Sequence, residues 1–138
     1  MSSLQVYIRH PEEIPIELEQ LSHTLPASHS TQGLGLICHS HNMIIEGSAV
    51  ELRVPFVEPS IRVSGIVNWC RNHGPGFELG IDFDNPDATM RMRMLEQLCQ
   101  IHQYRLDIRA EQGRTLSPDD AAVEWIQRYA ALFPNDGV

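Results

Sequence analysis

The chain has 138 residues, 42% apolar and 20% charged, which is the composition of one compact globular domain rather than of a disordered or fibrous segment. Its ten basic residues are all arginine and stand against 18 acidic ones. The resulting net charge of -8 argues against sequence-independent binding to nucleic acid or anionic lipid, because that affinity comes from cationic side chains displacing counterions. Without lysine there is no P-loop lysine and no Schiff-base chemistry. The cations that remain are forked guanidinium groups, suited to phosphates and nucleobases. No run approaches the roughly 20 apolar residues of a membrane span, and the first 20 residues lack a basic start followed by an apolar stretch, so a cytoplasmic protein without membrane insertion is expected. Cys38, Cys70 and Cys99, odd in number and irregular in spacing, read as reduced structural thiols.

In chain order, Gln5, Val6, Tyr7 and Ile8 read as a short extra strand ahead of Pro11. From residue 13 to residue 83 apolar side chains recur every second position, the period of strands with one buried face. Ile14, Ile16 and Leu18 alternate with Glu13, Pro15, Glu17 and Glu19, and Leu34, Leu36 and Cys38 follow. Val50, Leu52, Val54 and Phe56 make the next set, then Ile61, Val63, Val67 and Trp69 with Gly65 as a bend or bulge, then Phe77, Leu79, Ile81 and Phe83. Asn42, Gly47, Pro59 and the Asn72-His73-Gly74-Pro75-Gly76 segment supply turns. One-sided strands with short connections predict an antiparallel sheet, and closure into a small barrel removes its exposed edges.

After Phe83 the period becomes helical. Asp84 and Asn85 are caps, Pro86 suits the first helical position, and Met90, Met94, Leu98, Ile101, Tyr104 or Arg105, and Ile108 form a predicted apolar stripe up to Gly113. A second helix is predicted from Ser117-Pro118-Asp119-Asp120, with Ala122, Trp125, Ile126, Tyr129 and Phe133 on one side and Pro134 as its end. The expectation is one domain over 1–138, a barrel over about 4–84 and a helical extension over about 85–134.

Three segments in this order resemble the PilZ family of bacterial cyclic di-GMP receptor domains. Arg9-His10-Pro11-Glu12-Glu13 is similar to the family's Arg-x-x-x-Arg lead into the first strand. Ser28-His29-Ser30-Thr31-Gln32-Gly33 is similar to its Asp/Asn-x-Ser-x-x-Gly turn. Gly65-Ile66-Val67-Asn68-Trp69, followed by Gly80-Ile81-Asp82-Phe83, is similar to its late hairpin. The resemblance implies a six-stranded antiparallel β-barrel followed here by two α-helices, cyclic di-GMP as a regulatory ligand rather than a cofactor, and a ligand site of Arg9, Ser28, Ser30 and Gly33. It implies a non-enzymatic role in motility or biofilm regulation, with the N-terminal segment ordering on the ligand. Two positions depart: Glu13 takes the place of the second arginine and Ser28 that of Asp or Asn. Loss of one charge-assisted contact costs about 1.5 to 3 kcal/mol, which Arg62 or Arg71 from the late strands are the candidates to restore. The competing expectation is a degenerate PilZ adaptor that has lost the nucleotide and acts through protein contacts.

Each of these residues has a plainer reading. Arg9 has Glu12 and Glu13 at i+3 and i+4 as ion-pair partners, and Ser30 and Gly33 suit a turn. His39 and His41, two apart in a strand, share a side, but a zinc site needs three or four converging ligands and the expectation is no metal site. Glu12, Glu13, Glu17 and Glu19 read as the solvated face of an edge strand. No nucleophile-plus-base motif is present, and no enzyme is expected. The two helices offer more apolar surface than a small barrel covers, which points to a homodimer or a protein partner.

Overall fold

The structure, a computed structural model of the chain, describes residues 6–21, 34–83 and 85–129. Six strands are followed by two helices: β1 (Val6–Arg9), β2 (Glu17–Gln20), β3 (Leu34–Ser40), β4 (Ala49–Val54), β5 (Glu58–His73), β6 (Gly76–Asp82), α1 (Pro86–Gln112) and α2 (Pro118–Tyr129). The extra N-terminal strand is therefore present. The sheet runs β1-β3-β6-β5-β4-β2, and among the described residues its two end strands do not pair with each other. Four of its five ladders are antiparallel, but β1 runs parallel to β3, with Ile8 opposite Leu36, so the sheet is mixed rather than wholly antiparallel. Side-chain alternation decides which face of a strand is buried; it says nothing about the direction of the neighbour.

One face of the sheet makes the core. Ile8, Leu36, Leu52, Val63, Val67, Leu79 and Ile81 join α1 residues Met92, Leu95 and Cys99 in one cluster, and Leu18 of the opposite edge packs against it. An irregularity in the β5–β6 ladder redirects side chains. The β5–β6 register shifts between Val67 and Trp69, so Val67 pairs with Ile81 of the core face and Trp69 with Gly80 of the outer face. Trp69, expected inward, faces outward because Asn68 is the extra residue of the bulge. Gly65 is not that bulge: a Cβ there would stand 2.6 Å from Ile81 Cγ2 and 2.8 Å from the Asp82 carbonyl oxygen, so it is a close approach of strands. Phe56 follows the end of β4 and is exposed.

Asn85 caps α1 by accepting from the Ala88 amide at 2.8 Å, and Gly113 ends it with a left-handed φ of 67°. The buried stripe of α1 is Ala88, Met92, Leu95, Glu96 and Cys99, whereas Met90, Met94 and Leu98 are exposed, which corrects the expected stripe. Two apolar rows run along this helix about one residue out of phase, and periodicity does not choose between them. Past Ile101 the expectation holds: Tyr104 and Ile108 pack with Leu116, Ala121 and Trp125 of the α2 hairpin. Ile126 and Tyr129 are more exposed than expected, and Phe133 and Pro134 lie outside the described residues. Among the described residues, no helix is long and apolar enough to cross a membrane.

Candidate ligand site on the outer sheet face

Residues of β6 that alternate with the core side chains Leu79 and Ile81 lie on the outer face, namely Glu78, Gly80 and Asp82. Glu78 stands in a row across three strands, opposite His39 of β3 and Arg71 of β5. Arg9, at the end of β1, reaches into the same row. Its Nη1 donates to Glu78 Oε2 at 2.5 Å, while Arg71 donates to Oε1 from Nε at 3.0 Å and Nη2 at 2.5 Å. The two guanidinium groups cover the carboxylate so completely that its side chain is 1% exposed, while their own are 53% and 61% exposed. Burial opposes ionisation of Glu78, but the hydrogen bonds and then the charges of Arg9 and Arg71 prevail and hold its carboxyl down to about 2. Both guanidinium groups keep exposed N–H surface beyond the one carboxylate they share.

Beside this row lies an aromatic surface. The indole of Trp69 lies directly over Gly80, where any Cβ would stand 2.2 Å from the ring, so glycine opposite the bulge is what lets the indole lie flat. The Arg71 guanidinium carbon is 4.7 Å from the Trp69 ring centroid, and Tyr7 meets the ring edge-on at 5.9 Å. Tyr7 donates to Asp82 Oδ1 at 3.1 Å and accepts from Asn68 Nδ2 at 3.0 Å. Burial, joined by the Asp82 carboxylate and opposed by the Asn68 hydrogen bond, raises the Tyr7 hydroxyl above its ordinary value. The surface thus offers two guanidinium planes, an indole and a phenol within one patch. That is the chemistry for a planar, anionic ligand.

Of the expected site residues, Arg9 is in this patch, while Ser28, Ser30 and Gly33 lie outside the described residues. Arg9 pairs with Glu78 rather than with Glu12 or Glu13. Glu13 accepts from Gln103 of α1 at 2.5 Å, and Gln103 also donates to Asp107. The groove between this segment and α1 is acidic and does not suit an anion. Arg71 stands beside Arg9, whereas Arg62 faces Glu51 of β4 at 3.6 Å. His41 falls beyond the end of β3, so the expected His-x-His pair is not built; His39 instead meets His73 and Glu12.

A second polar cluster fixes the segment after β1. His10, buried, presents Nδ1 to Glu96 Oε2 and Nε2 to the Ile14 carbonyl oxygen, both at 2.7 Å. A carboxyl oxygen at one nitrogen and a carbonyl oxygen at the other favour the protonated ring. Burial opposes the charge, but the hydrogen bond and charge of Glu96 and the Ile14 carbonyl raise the His10 value. Burial also pushes the Cys38 thiol up to about 12 and raises that of Cys99, so neither is a thiolate at neutral pH. No family model, no curated protein and no solved structure matches the chain.

Proposed function

We propose that the chain is a PilZ-type signalling domain of the bacterial cytoplasm that binds cyclic di-GMP and catalyses no reaction. The observation that carries this reading is the convergence of Arg9 and Arg71 beside the half-buried, outward-facing indole of Trp69. Guanidinium groups pair with phosphate through forked N–H donors and stack on purines, and an indole gives a base a flat apolar surface. Arg71 takes the role that Glu13 vacates, so the loss at that position is offset from a different strand. Glu78 holds both arginines in place before a ligand arrives, which reduces the ordering entropy that binding must overcome. Ser28, Ser30 and Gly33 are the further ligand contacts in this reading, and a barrel closed between β1 and β2 is its frame. The common cluster that takes Ile8 from one edge of the sheet and packs Leu18 of the other favours such a curl.

Trp69 makes the reading testable by fluorescence. Titration of the native chain with cyclic di-GMP is expected to quench tryptophan emission saturably, and Trp69→Phe to abolish the response although Trp125 remains. A native chain whose emission does not change up to about 100 μM ligand would count against the reading.

One observation favours the adaptor alternative: Met90, Met94 and Leu98 form an exposed apolar row on α1, and Val123, Ile126 and Tyr129 are exposed on α2. Such rows suit a second copy of the chain or a protein partner in pilus or motility regulation. Under this reading Glu78 neutralises arginines that no longer meet a nucleotide, and concentration-dependent dimerisation or partner capture depends on the α1 row and not on Arg9.

A further inference from the structure

We propose that Glu12, His39 and His73 bind one divalent first-row transition ion of the zinc class at the end of the sheet. The three come from separate elements: the turn between β1 and β2, the penultimate residue of β3, and the last residue of β5. The two-residue turn Gly74–Pro75 places His73 opposite Gly76 and on the side of His39. One ligand atom of each residue lies within 4.8 Å of the others. His39 Nε2 and Glu12 Oε1 are 3.4 Å apart, and the two imidazole rings meet edge to face with centroids 4.6 Å apart.

These distances fit a coordination sphere. With zinc–ligand bonds of about 2.0 to 2.2 Å, neighbouring ligand atoms of a tetrahedral site are about 3.4 Å apart. The His39–Glu12 pair already has that spacing, and the exposed His73 reaches it by side-chain rotation. The edge-to-face packing lets two nitrogens point at one centre. The donor set also selects the ion, since two imidazoles and a carboxylate suit zinc and its neighbours, whereas magnesium and calcium require oxygen ligands. A fourth position opens into a cavity of about 590 Å³ that His41 also lines. The buried His10, Glu96 and Cys99 group is not such a site, because both nitrogens of His10 are already engaged.

The proposed ligands do not include Arg9 or Arg71, although His39 Nε2 also lies 3.9 Å from Glu78 Oε2, at the edge of the nucleotide patch. Calorimetric titration of chelator-treated native protein with zinc chloride is expected to give one ion per chain, and magnesium chloride no heat. His39→Ala and His73→Ala should each weaken zinc binding by about 10- to 100-fold, and Glu12→Gln, the most conservative change, by about tenfold or more. His102→Ala, outside the cluster, should leave it unchanged. Circular dichroism checks that each variant is folded, and substitution with cobalt(II) should give visible tetrahedral bands that are lost in the histidine variants. No zinc bound at about 100 μM, affinity unchanged in either histidine variant, or a thiolate-to-cobalt charge-transfer band would overturn the proposal.

Discussion

His10 shows how a single side chain can hold the segment that leads into β2. Its ring bridges Glu96 of α1 and the Ile14 carbonyl, with almost no exposed surface on either side chain. Removing one member of a buried pair strands the other charge, at a cost of about 3 to 5 kcal/mol. Urea unfolding of His10→Ala is therefore expected to show a loss of that size. Replacing both partners with leucine should lose less than the single variant, because no uncompensated charge remains. Neither role was legible in the sequence. In sequence His10 belonged only to an arginine motif, and Glu96 carried no signal, since the contact joins residues 86 positions apart. Glu78 was hidden for a related reason: alternation puts it on the outer face, but only the fold brings Arg9 and Arg71 over it.

At the scale of elements, the sequence carried the strands well and their facing less well. Alternation marked the strands, although β2 begins only at Glu17 and leaves Ile14 and Ile16 ahead of it, and the caps at Asn85, Gly113 and Ser117 marked the helices; Ser117 Oγ accepts from the Asp120 amide at 3.1 Å. One extra residue at Asn68 then turned Trp69 from the core to the site, and a bulge leaves no signature in alternation until its partner strand is known. The α1 stripe slipped because Met90, Met94 and Leu98 repeat as regularly as Met92, Leu95 and Cys99. A pair of truncations separates the two rows. Leu95→Ala should lose about 2 to 5 kcal/mol in chemical denaturation, while Met94→Ala should stay within about 0.5 kcal/mol of the native chain. The α1–α2 hairpin adds a pH dependence. Glu124 accepts from Arg114 Nη2 at 2.7 Å and from the Tyr104 hydroxyl at 2.8 Å, and these bonds lower its carboxyl below the ordinary value of 4.5. Because the folded value is the lower one, this contribution is present above about pH 4.5 and is lost as pH falls through the lowered value. Acid titration followed by the NMR signals of α2 should show the hairpin loosening in that window, and Glu124→Gln should remove the dependence.

At the scale of the whole molecule, an acidic chain with ten arginines gathers two of them at one place, over a buried carboxylate and beside a half-buried indole. Elsewhere Arg53 meets Glu17, Arg62 faces Glu51, and Arg114 meets Glu124. Half of this site was legible, since Arg9 came from a motif and Arg71 was a named candidate, while Trp69 and Glu78 needed the register of β5 on β6. The most direct test is calorimetric titration of cyclic di-GMP into the native chain, Arg9→Ala and Arg71→Ala. The account predicts saturable heat with the native chain and a loss of about 10- to 100-fold in affinity in each variant, the worth of one charge-assisted contact. No heat from the native chain at about 100 μM ligand, or affinity that survives both substitutions, would contradict it.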